Sequence, residues 1–181
     1  MDLQTFYTTV SSISFTLLGL WWVVVQARPE WRTEPARRRM AYAVSLHFLL
    51  PGVMSVLSLV APDVGLLWRV TFFSAGVLGV VGAISVLRTL REEYDAPRLA
   101  RIIETVAIPV YALVALVALS PGTVTALIPG LTALKVEGII LAIIIFGGVQ
   151  LAWILMVEPV REPAQESTRE PTGGPAGEPP K

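Results

Sequence analysis

Arg28 to Arg39 reads RPEWRTEPARRR, five arginines against Glu30 and Glu34, and it separates two apolar runs that are each long enough to cross a bilayer. Short loops rich in Arg and Lys stay on the cytoplasmic side of a membrane, so this stretch sets the orientation of the chain on either side of it. Before it, Leu3 to Ala27 carries no charge over 25 residues, more than the ~20 residues a helix needs to span hydrocarbon. The run begins after Asp2 and ends in Gln26 and Ala27 beside Arg28, without the basic start or small-residue cleavage site of a secretory signal. It reads as a retained first span with its amino end outside. Trp21, Trp22 and Trp31 then fit an aromatic belt at headgroup level on the cytoplasmic side.

After the arginines, Met40 to Val60 forms a second span running outward. Pro51 and Gly52 near its middle predict a kink, because proline lacks a ladder donor and crowds the preceding turn. Ala61-Pro62-Asp63 makes an outer turn, and a third span, about Leu66 to Leu87, returns with Trp68 and Arg69 at its outer end. Arg88 to Arg101, RTLREEYDAPRLAR, sets four arginines against Glu92, Glu93 and Asp95 and is again cytoplasmic by its basic residues. A fourth span runs outward from Arg98 or Ile102 to Leu119 and contains Glu104 and Pro109. Ser120 to Ala133 is uncharged with two Pro-Gly pairs, which suits an interfacial turn with a short helix from Thr123 to Ile128, or a shallow re-entrant element. A fifth span, Leu134 to Val157, leads to a tail too poor in apolar surface to offset the entropy of ordering.

The expected fold is therefore all-α and polytopic: five transmembrane helices over 1–157, a disordered cytoplasmic tail over 158–181, the amino end outside. The amino terminus and both outer turns lack Lys and Arg, whereas both inner loops and the tail contain them. Spans 2–3 and 4–5 also resemble one another weakly. Each pair starts after arginines, holds a mid-span proline (Pro51, Pro109), turns at a proline (Pro62, Pro121) and resumes near a cation (Arg69, Lys135), as a parallel duplication would.

The chain of 181 residues is 54% hydrophobic and 15% charged, well below the roughly 25% charged residues of soluble domains. A net charge of zero offers no basic face for nucleic acid. The absence of Cys excludes disulfides, thiolate metal sites and cysteine nucleophiles, and one His leaves almost no zinc ligands, so no cofactor is expected. Membrane lipids are the expected surroundings, with a second copy or another membrane protein as partner.

Ionisable groups at membrane depth are costly and are the first places to look for function. His47, Glu104 and Gln150 share the cytoplasmic half with Ser45 and Thr105 and can line one polar cavity there, with Glu104 partnering His47 or, three residues away, Arg101. Arg69, Lys135 and Glu137, with Asp63, form an outer group in which Arg69 or Lys135 is the expected partner of Glu137. Ala75, Gly79 and Ala83, at four-residue spacing beside Gly76 and Gly82, let another backbone approach the third span, within the chain or between subunits. The hydroxyls of Thr5, Thr8, Thr9, Ser11, Ser12, Ser14 and Thr16 either bond back to their own helix or wet the wall of a channel. No filter-like Thr-Val-Gly-Tyr-Gly, Walker loop or His-Glu-x-x-His segment is present. The leading expectation is a small oligomeric channel or transporter for an ion or small solute. The alternatives are an accessory membrane subunit and a membrane-embedded enzyme acting on lipid.

Overall fold

The computed structural model describes residues 2–60, 65–92, 97–128, 130 and 132–157. The Pro62 turn, Asp63, Glu93, Asp95 and the 158–181 tail lie outside the described residues. The helices are α1 (Leu3–Ala27), a short α2 (Glu30–Thr33), α3 (Pro35–Val60), α4 (Gly65–Glu92), α5 (Pro97–Ile102), α6 (Ile108–Leu119), α7 (Pro121–Leu127) and α8 (Ala133–Val157), with a π-helical turn, Ile103–Ala107, joining α5 to α6. α1, α3, α4, the α5–π–α6 rod and α8 are long and apolar enough to cross a membrane. The chain is an all-α, multi-pass membrane protein.

Asp2 caps α1 by accepting from the Thr5 amide at 2.6 Å, and hydrogen bonds from the Thr5 side chain and amide hold its carboxyl below the usual carboxylate range. The hydroxyls of Thr8, Thr9, Ser12 and Thr16 each donate to the carbonyl four residues earlier, so these four exposed hydroxyls are satisfied within the helix. The opposite face, Tyr7, Val10, Ser11, Ser14, Leu18 and Trp21, is buried at three- and four-residue spacing.

Trp21 and Trp31 do not stand in the expected aromatic belt. α2 folds Trp31 back against Trp21, edge to face at 5.2 Å, both are buried, and the Trp21 indole donates to the Ala41 carbonyl at 3.0 Å. A partner for the Trp21 indole N–H inside the bundle removes its reason to face headgroups, whereas the Trp31 indole N–H is buried without a partner and its ring is held by the contact with Trp21. Trp22 alone of the three points outward.

α3 is the central helix, packed on α1, α4 and α8; α6 lies on α4, and α8 closes onto α3, α1 and α6. α3 continues through the buried Pro51 as one helix. Pro109 has a different setting. It follows the π turn, in which the Ile108 amide donates to Ile103 O, five residues back. Proline crowds the carbonyl four residues before it and cannot donate to it, and widening the preceding turn by one residue relieves that conflict.

α4 meets α6 through glycine. A Cβ on Gly76 would lie 2.7 Å from Ala115 N and 2.8 Å from Tyr111 O, and one on Gly79 would run into the Tyr111 ring. At the far end of the same contact, Arg69 donates through Nε to Ala118 O (3.0 Å) and through its terminal nitrogen to Leu119 O (2.8 Å), satisfying carbonyls that the last turn of α6 leaves open.

Candidate cavity between α3, α4, α6 and α8

The half of the bundle that carries the arginines holds a cavity of about 280 Å³, close to the lower end of the roughly 300–1,000 Å³ range of small-molecule sites. Its floor comes from Leu46 and Ala83, and the π turn contributes Ile103, Val106 and Ala107. Ile102, Val106, Ile143 and Phe146 line it and are also exposed on the outside of the bundle. The cavity therefore opens sideways, between the π turn and α8, onto the surface that faces hydrocarbon.

Three of its lining residues carry polar side-chain atoms, His47 from α3, Tyr111 from α6 and Gln150 from α8, and of these the Tyr111 hydroxyl lies buried behind the wall. The Tyr111 ring rests on Gly79 and meets the His47 ring edge to face at 5.5 Å. α8 crosses α3 closely at this level, since a Cβ on Gly148 would lie 2.6 Å from the His47 Cβ. His47 Nδ1 lies 2.8 Å from the Ala43 carbonyl, and a carbonyl only accepts. Nδ1 thus carries the hydrogen, which in the neutral ring leaves Nε2 as a lone-pair acceptor. The Tyr111 hydroxyl is buried with no hydrogen-bond partner, and Gln150 is exposed at the mouth. Without a fixed charge on this wall, the arrangement offers a neutral hydrogen-bonding end to an otherwise apolar space.

The structure brings His47 and Gln150 together here and sets Glu104 elsewhere. Glu104 does not reach Arg101 or His47; it pairs with Arg91 of α4 at 2.8 Å, with both side chains more than half exposed. In the wider π turn, residues three apart no longer sit one above the other, which separates Glu104 from Arg101. Ser45 and Thr105 donate to the carbonyls of Ala41 and Arg101 on their own helices. An exposed ion pair contributes little, so Glu104→Gln is expected to change stability by less than about 1 kcal/mol in a denaturant titration.

At the opposite end, Lys135 is exposed and Arg69 is bonded to α6. Glu137 is fully buried and neither carboxyl oxygen has a hydrogen-bond partner. The expected pair with Arg69 or Lys135 is not formed. Positions 135 and 137 lie about 200° apart around a helix of 3.6 residues per turn, so burying Glu137 turns Lys135 outward. Among the described residues no group of three or more His, Asp and Glu is placed to hold a metal ion.

Tyr111 is not among the polar groups singled out from the sequence, which are charged, imidazole, amide and Ser/Thr side chains. The available signal was a phenol in the middle of an apolar span, where a hydroxyl normally needs a partner. No protein-family model, curated protein or solved structure matches the chain.

Proposed function

We propose that the protein is a small membrane transport protein whose solute is a neutral amphiphile, drawn sideways from the bilayer into the cavity of His47, Tyr111 and Gln150. The observation that carries this reading is the composition of the wall: hydrocarbon over almost its whole area, with three neutral hydrogen-bonding groups. An ion entering the cavity would exchange its hydration shell for methyl groups, whereas selectivity filters replace that shell with rings of carbonyls or charges. A small apolar body with an alcohol or carbonyl head matches both the space and the donor set. In this reading Arg28 to Arg39 and the tail lie in the cytoplasm, the amino end lies outside, and a second copy or a membrane partner covers the open side between the π turn and α8. A parallel duplication of α3–α4 in α6–α8 belongs to the same proposal, with the different settings of Pro51 and Pro109 as later divergence.

The test uses an alkyl alcohol bearing a diazirine, photolysed with the protein in lipid nanodiscs and mapped by mass spectrometry. Gly147 lines the cavity and a Cβ there meets nothing within 4 Å, so Gly147→Leu adds bulk at the wall from a position with room for its first carbon. Labelling is expected to concentrate on α6 and α8 residues of the cavity and to fall about tenfold in Gly147→Leu, the equivalent of about 1.4 kcal/mol of binding free energy. Labelling spread evenly over the lipid-facing surface, and unchanged in that variant, would sink the proposal.

A further inference from the structure

Glu137 lies away from this cavity, on the side of α8 that meets α1. The Tyr7 hydroxyl, its electrostatic neighbour, donates to Leu134 O at 2.8 Å, one turn earlier in α8. Both carboxyl oxygens of Glu137 are buried without a partner, and so are the hydroxyls of Ser14 and Ser55. Buried polar groups in folded proteins are nearly always paired, and a buried carboxylate without a partner is costly. Glu137, Ser14 and Ser55 thus stand without partners on three helices that pack on one another, and the acid is the costliest of the three to leave so.

The geometry limits what the acid can bind. Ser14 lies at the α1–α3 contact, its Cβ 3.2 Å from where a Cβ on Gly52 would stand, and Ser55 follows Gly52 by one turn of α3. Tyr7, Ser11 and Ser14 share the buried face of α1, and Tyr7 and Ser14 are separated by about 10 Å at 1.5 Å per residue. The polar groups thus form a seam along the helices and not a shell around one point. A metal cation needs several oxygens converging on it, and among the described residues Glu137 is the single acid of this seam. A proton needs one.

The charged and titratable surroundings are sparse. On α1 they are Tyr7 and the exposed Asp2; α3 beyond Pro51 and α7 have none; α6 has Tyr111, in the cavity; Arg69 of α4 is engaged with α6 carbonyls, and Lys135 of α8 is exposed. No cation neutralises Glu137 among the described residues. The residue is four positions into α8, about 6 Å from its first residue, so the path to water at the end opposite the arginines is short.

We propose that Glu137 is a reversible proton-binding site, exchanging with that water, and that the Ser14 and Ser55 hydroxyls extend the polar seam inward from it. Binding converts the carboxylate to the neutral acid and removes the charge from the α1–α8 contact; release restores it. The inference does not depend on the cavity binding an amphiphile.

Infrared difference spectra of the full chain in nanodiscs, cycled in pH, test it directly. The carbonyl stretch of one protonated carboxylic acid is expected to appear and vanish reversibly, and that band is lost in Glu137→Gln. In Glu137→Asp the band shifts in frequency, and this holds as the deciding comparison if the glutamine variant does not fold. Tyr7→Phe moves the midpoint, because the hydroxyl that interacts electrostatically with Glu137 is gone. Identical spectra in the wild type and in both Glu137 variants overturn the proposal. So does a Glu137 band that never titrates while the protein stays folded, which would mark a permanently neutral acid. A band abolished by sodium chloride at constant pH overturns it in favour of a cation site.

Discussion

Gly76→Ala is expected to destabilise the bundle by about 2–3 kcal/mol, measured by circular dichroism in a denaturing-detergent titration. The added carbon would stand within 3 Å of Ala115 N and Tyr111 O, both backbone atoms, which cannot rotate aside as a side-chain tip can. α4 and α6 must separate to admit it, and the separation propagates along the contact to Tyr111 and to the Arg69 bonds at the end of α6. Gly19→Ala is the control. Nothing lies within 4 Å of a Cβ at Gly19, and alanine exceeds glycine in helix propensity by up to about 1 kcal/mol, so that variant is expected to be neutral or slightly stabilised. Equal losses at the two positions would mean that the α4–α6 approach is not what Gly76 provides.

The contrast between these glycines shows what the sequence could convey. Span number and approximate limits were legible because bilayer thickness fixes them and because the arginines interrupt uncharged runs long enough to cross. Five apolar helices follow whatever their neighbours are. Facing is another matter. A helix that is hydrophobic all round carries almost no periodic signal of which side meets protein and which meets lipid. Trp21, Trp31, Lys135 and Glu137 depended on facing, and for each the structure supplies the detail: an indole donating to Ala41, an edge contact between two tryptophans, and a rotation of α8 that buries the acid and exposes the lysine. Register was equally hidden. Pro109 announced an irregularity, but not that it would be a π turn placing Glu104 against Arg91. The cavity inherits both difficulties, since it exists only where a widened turn, a glycine crossing at Gly148 and the ring of Tyr111 are brought to the same level.

Tyr111 offers the sharpest separation of packing from binding. Tyr111→Ala is expected to cost about 3–5 kcal/mol, the usual loss when a large buried aromatic is truncated, because it empties the site between Gly79 and His47. Tyr111→Phe keeps the ring and its edge contact while deleting only the oxygen. That oxygen is buried without a partner, and leaving such a group unsatisfied costs roughly 1–3 kcal/mol, so the phenylalanine variant is expected to equal or exceed the wild type in stability. Its labelling by the diazirine alcohol is nevertheless expected to fall severalfold, because the solute's polar end loses a hydrogen-bonding group. A gain in stability with a loss of binding is the pattern of a group kept for a ligand and not for the fold. If Tyr111→Phe instead loses stability as the alanine variant does, the hydroxyl serves the folded bundle itself, and the cavity retains only His47 and Gln150 to orient a solute.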